Sequence, residues 1–125
     1  AGIGRFSLVA LDCADPIGLA EFYSEITGWE VDATDPDGDW IELRSDLGAT
    51  IAFQLAPNHV PPVWPSDDNQ QQAHIDFDVP NLDVAEEQVL ALGASKTDLQ
   101  PGETWRVYLD PAGHPFCLVL DKKYR

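Results

Sequence analysis

The alternation of apolar and polar positions divides the chain into short segments with two different periods. Residues 6–13 (FSLVALDC) form an apolar, β-compatible run, and Asp15 with Pro16 then marks a helix start. Ile17, Ala20 and Tyr23, with Leu19, Phe22 and Ile26, recur at helical spacing, and Gly28 is placed to stop the helix. After the turn-rich stretch 32–39 (DATDPDGD), residues 40–44 (WIELR) and 49–55 (ATIAFQL) each alternate as strands around the SDLG turn. This half of the chain therefore reads βαβββ.

The same order returns further on. Residues 74–79 (HIDFDV) predict a strand and 82–92 (LDVAEEQVLAL) a helix stopped at Gly93. A short strand at 95–97 follows, and then a hairpin of WRVYL and FCLVL around the DPAGHP turn. Leu8 precedes Asp15 by the same seven residues that separate His74 from Asn81, and ITGWEV matches ALGASK. A repeated strand–helix–hairpin unit implies duplication, with each sheet covered on one face by its helix and open on the other. Module one is expected over 1–55, a linker over 56–72 and module two over 73–125, all within a single domain, as the 125-residue length suggests. The linker, APNHVPPVWPSDDNQQQ, holds four of the ten prolines and reads as a functional loop, in which Trp64 covers a pocket or packs against a partner subunit.

Charge narrows the partners. Twenty-two acidic residues against seven basic ones give a net charge of −15, which repels nucleic acid and anionic membranes and favours a cationic guest if it serves binding at all. There is no apolar run of membrane-spanning length and no secretory leader pattern, so a cytoplasmic protein is expected. Cys13 and Cys117 are too few for a disulfide scaffold, and Cys13 reads as a core residue. No GxSxG, Walker or dinucleotide-glycine pattern occurs, and no nucleophile stands beside an evident base.

DPIGLAEFYSEITGWEV, HIDFDVPNLDVAEEQVLALGA and WRVYLDPAGHPFCLVL together resemble the vicinal oxygen chelate superfamily, in particular its glyoxalase-like, bleomycin-resistance-like branch, over nearly the whole chain. The resemblance implies an α+β fold in which two βαβββ modules form a concave mixed sheet, the glyoxalase/bleomycin resistance/dihydroxybiphenyl dioxygenase fold. It also implies a homodimer.

Metal-dependent members draw four ligands from the first and last strands of the two modules. In this chain the resemblance places Leu8, His74, Gln54 and Cys117 at those positions, with cysteine where glutamate is customary. Leucine offers no donor, so no resident metal or other cofactor is expected. If a divalent metal is present, its candidate ligands are His74, Gln54 and Cys117.

Strand parity turns Gln54 and Cys117 towards the cavity, along with His74, Asp76 and Asp78. Arg106 and Tyr108 share one face of their strand and are assigned to the cavity wall, while the parity of Trp105 is open. Trp40, Glu42 and Arg44 also share a face, readable as cavity wall or as a surface ion pair. His59 and His114 read as loop residues. The ligand-binding set is therefore Gln54, Trp64, His74, Arg106, Tyr108 and Cys117, with His74 the candidate catalytic group.

Two functions fit this set. One is a small-molecule-binding protein that works without the usual metal. The other is a divergent lyase or isomerase of the glyoxalase type, acting on a small oxygenated metabolite. Whether the chain is an enzyme stays open at this point.

Overall fold

A computed structural model describes residues 2 and 5–125 of the chain. Two compact units, Ala1–His59 and Val60–Arg125, each contain one βαβββ module. Most of the linker therefore belongs with the second module. Among the described residues, no helix is long and apolar enough to cross a membrane.

The first unit runs β1 (Val9–Cys13), α1 (Pro16–Thr27), β2 (Glu30–Asp32), β3 (Trp40–Arg44) and β4 (Thr50–Leu55). Its sheet has the order β1-β4-β3-β2, with β1 parallel to β4 and the other pairs antiparallel. The Asp15 carboxylate accepts the Gly18 amide at 3.2 Å and so caps α1, with Pro16 opening the helix. Gly28 closes it at φ 73°, donating its amide to the Ser24 carbonyl at 2.7 Å. Leu19, Phe22 and Tyr23 bury against Ile41, Leu43, Ile51 and Phe53, and the Tyr23 ring stacks on Phe53 at 5.8 Å. Each such side chain contributes roughly 1.5–3 kcal/mol by leaving water.

The second unit repeats the plan with β5 (Ile75–Val79), α2 (Leu82–Ala91), β6 (Ser95–Lys96), β7 (Trp105–Leu109) and β8 (Pro115–Leu120), followed by a short 3₁₀ turn at Lys122–Tyr124. Its sheet order is β5-β8-β7-β6, with β5 parallel to β8. Asn81 caps α2 by accepting the Val84 amide at 3.0 Å. Leu82, Ala85 and Val89 of α2 are buried, as are Tyr108, Phe116 and Leu118 of the sheet.

The two first strands are shorter than their apolar runs suggest. β1 starts at Val9 instead of residue 6, because it pairs only with β4 and that register opens at Val9 opposite Ile51. β5 starts at Ile75, opposite Phe116. The residue that would face His74 is Pro115, which has no N–H to extend the ladder.

The linker is tied to the β7–β8 turn. Buried Asp110 accepts the amides of Ala112 and His114, each at 2.9 Å, and Gly113 takes φ 92°. Pro61 lies where a Gly113 side chain would project. Asn69 donates to the Pro61 carbonyl at 3.0 Å, and the Val63 amide donates to the Asn69 carbonyl at 2.9 Å. These bonds close the loop that carries Trp64.

Candidate functional site

Register within the second unit decides which side chains share the face turned away from α2. Tyr108 and Phe116 are opposite one another and stack at 5.6 Å, and the Tyr108 hydroxyl donates to Glu86 of α2 at 2.8 Å. The alternate positions therefore point the other way. Cys117 has Asp76 on one side, across β5–β8, and Val107 on the other, across β7–β8; Trp105 faces Val119. His74 precedes Asp76 by two and lies on the same side. With Trp64 and Gln71 from the linker, these residues line a cavity of about 370 Å³.

Polar chemistry collects at one place on this wall. His74 Nε2 lies 3.2 Å from Asp76 Oδ1, and the two side chains are 41% and 55% exposed, open enough to meet a ligand. Cys117 is buried at 6% exposure. Burial first, and then the negative charge and hydrogen bonding of Asp76, push its thiol up to about 12. Cys117 is thus a neutral thiol at physiological pH and lacks the activated form that a nucleophile needs. One donor atom from each of His74, Asp76 and Cys117 lies within 4.8 Å of the others.

A family model described as a glyoxalase-like domain matches residues 8–119. The chain belongs to the glyoxalase-like domain family. Solved structures share the fold of this glyoxalase-like domain. A glyoxalase/bleomycin resistance protein/dioxygenase family enzyme from Burkholderia phytofirmans PsJN is similar at 16% identity and a TM-score of 0.69, covering 92% of this chain and 97% of that one. A glyoxalase-related enzyme from Fulvimarina pelagi is similar at 18% identity and 0.65, covering 95% and 89%. A glyoxalase family protein from Enterococcus faecalis is similar at 17% identity and 0.63, covering 94% and 98%. At these identities the likeness is one of fold. No curated protein matches the sequence.

The four-donor metal centre expected of metal-dependent relatives does not fit this glyoxalase-like domain. Val9 faces Ile51 in one module and Ile75 faces Phe116 in the other, which aligns Leu8 with His74 and Ala52 with Cys117. The place of Gln54 among the metal-ligand positions is thereby corrected: its counterpart is Val119, one strand period beyond that position. Leucine and alanine supply no donor, so the first module contributes nothing at either position. Gln54 is exposed and lies opposite Trp40 on the face that carries Glu42 and Arg44. There Arg44 pairs with Glu42 at 3.0 Å and with Asp32 at 3.2 Å, the surface ion pair among the two readings of that strand.

Of the residues singled out in the sequence, Trp64, His74 and Cys117 meet at the cavity. Arg106 and Tyr108 do not, and their assignment to the cavity wall is corrected. Arg106 bridges Asp83 at 2.9 Å and Glu86 at 3.4 Å, so both residues serve the helix side of the sheet. Burial and the Glu86 carboxylate together push the Tyr108 hydroxyl well above its ordinary value. The wall residues of β7 are instead Trp105 and Val107. They were legible in principle: a hairpin centred on Ala112 sets Val107 against Cys117 and Trp105 against Val119. Asp76 has the right parity in the sequence, two residues from His74 on the same face. Gln71 carried no signal.

Proposed function

We propose that this glyoxalase-like domain binds a small organic molecule, preferentially a cation, in the cavity of its second unit, and that it does so without the four-donor metal centre of metal-dependent relatives. The observation that carries this reading is a cavity whose wall sets Trp64 and Trp105 beside the Asp76 carboxylate. Its volume of about 370 Å³ suits a small ligand, since such sites commonly span roughly 300–1,000 Å³. The indoles, with Val107 and Val119, offer apolar area and aromatic faces. A cation over such a face gains about 0.5–2 kcal/mol. Asp76 supplies the counter-charge, and the −15 net charge raises the local concentration of cations.

The test is a tryptophan-fluorescence titration of chelator-treated protein with a panel of organic ammonium and guanidinium compounds. Saturable quenching that Trp105→Ala weakens supports the reading. Absence of saturable binding across the panel, or equal binding by matched neutral analogues, overturns the cationic-guest reading.

A second reading is favoured by the 3.2 Å contact between His74 and Asp76, since a carboxylate can orient an imidazole for proton transfer. In that reading the domain is a divergent lyase or isomerase acting on a small oxygenated metabolite, with His74 as the acid/base group. Undiminished turnover by His74→Ala would eliminate it.

A further inference from the structure

The three polar side chains on the cavity wall end in imidazole, carboxylate and thiol, a donor set suited to a thiophilic divalent ion and poorly matched to magnesium or calcium. We propose that His74, Asp76 and Cys117 form a three-donor site for one zinc-class divalent ion, contained wholly within the second unit. The site shares its cavity with the proposed guest but does not depend on that guest. It also differs from the superfamily set in needing nothing from the first module and in using Asp76.

Geometry carries the assignment. Tetrahedral zinc, with arms of about 2.0–2.1 Å to nitrogen and oxygen and about 2.3 Å to sulfur, holds its donors roughly 3.3–3.6 Å apart. His74 Nε2 and Asp76 Oδ1 already stand 3.2 Å apart, and all three donors fall within 4.8 Å, so side-chain rotation closes the remaining gap. The strands explain the convergence. Asp76 faces Cys117 directly across the parallel β5–β8 pair, and His74 lies one strand period earlier on the same side.

Cys117 is held at the cavity wall between Val107 and Val119, which makes it a fixed anchor, whereas the exposed His74 and Asp76 are free to adjust. The fourth position of the ion opens on the cavity, where water completes the shell. Binding releases the thiol proton to solvent as the sulfur–metal bond forms.

The experiment uses the full chain, stripped with a chelator and dialysed against cobalt(II) or zinc. The expected result is one bound equivalent and, for cobalt, a thiolate charge-transfer band. Cys117→Ser abolishes the band, while Asp76→Asn and His74→Gln each weaken binding on the order of tenfold, equivalent to ~1.4 kcal/mol. Asp76 is exposed, so its replacement leaves packing intact, and circular dichroism verifies the fold of each variant. If Cys117→Ser does not fold, the other two variants decide.

Failure to retain metal overturns the proposal. So does a band that survives Cys117→Ser, or binding indifferent to both Asp76→Asn and His74→Gln. Guest binding is measured in the presence of chelator, so a failure there is separate from a failure here.

Discussion

Asp76 lies directly across the β5–β8 pair from Cys117, and its carboxylate helps to keep that buried thiol protonated. Replacing it with asparagine removes the charge while keeping the shape. The pH profile of Cys117 alkylation should therefore shift to lower pH in Asp76→Asn, with Cys117→Ser run in parallel to subtract any reaction at Cys13. Burial is the larger cause, so the shift will be partial. An unchanged profile would mean that Asp76 does not act on the thiol.

Alkaline stability follows from the same group. The ordinary Cys117 value of 9.0 is pushed up to about 12 in the folded chain. Between those values the folded state holds a proton that the unfolded chain has lost. The stabilisation is thus fully present below pH 9.0 and is lost as pH rises towards 12. Tyr108, also raised from its ordinary 10.0, adds to the loss at higher pH. Urea midpoints should fall across this window, and Cys117→Ala should show a shallower fall.

The parity of β7 separates ligand binding from stability. Trp105→Ala should lower guest affinity, because it strips an aromatic wall from the cavity. Arg106→Ala should leave guest affinity nearly unchanged and lower the unfolding free energy instead, by about 0.5–2 kcal/mol, because Arg106 serves Asp83 and Glu86. Isothermal titration and urea denaturation on both variants test the pair; the reverse pattern would mean that the face assignment is wrong.

Gly113→Ala should destabilise the second unit by roughly 1–3 kcal/mol, since φ is 92° there and Pro61 blocks a β-carbon. Adding Pro61→Gly should recover part of that loss, the steric part, and leave the backbone part. A double-mutant cycle in urea measures the coupling. Trp64 fluorescence should change in Gly113→Ala, because the same loop carries that indole.

Local signals determined most of the secondary structure. Asp15 with Pro16, Asn81, Gly28 and the DPAGHP turn act within a few residues of themselves, so helix limits and hairpins could be read from the chain, and the repeat followed from their order. The first-strand starts erred because a strand ends where its partner's hydrogen bonds end, and that partner is some forty residues away in sequence.

Site composition needed tertiary register. Arg106 and Tyr108 look like cavity residues when their strand is read alone. Only the pairing of Tyr108 with Phe116, and the contact of both Tyr108 and Arg106 with Glu86, turns that face under α2. Gln54 likewise looks like a ligand until Val9 is set against Ile51, which puts Ala52 in that place. A residue's polarity is written in the sequence. Which face it occupies, and therefore whether it meets Asp76, Cys117 or a helix, depends on a pairing register set by distant backbone.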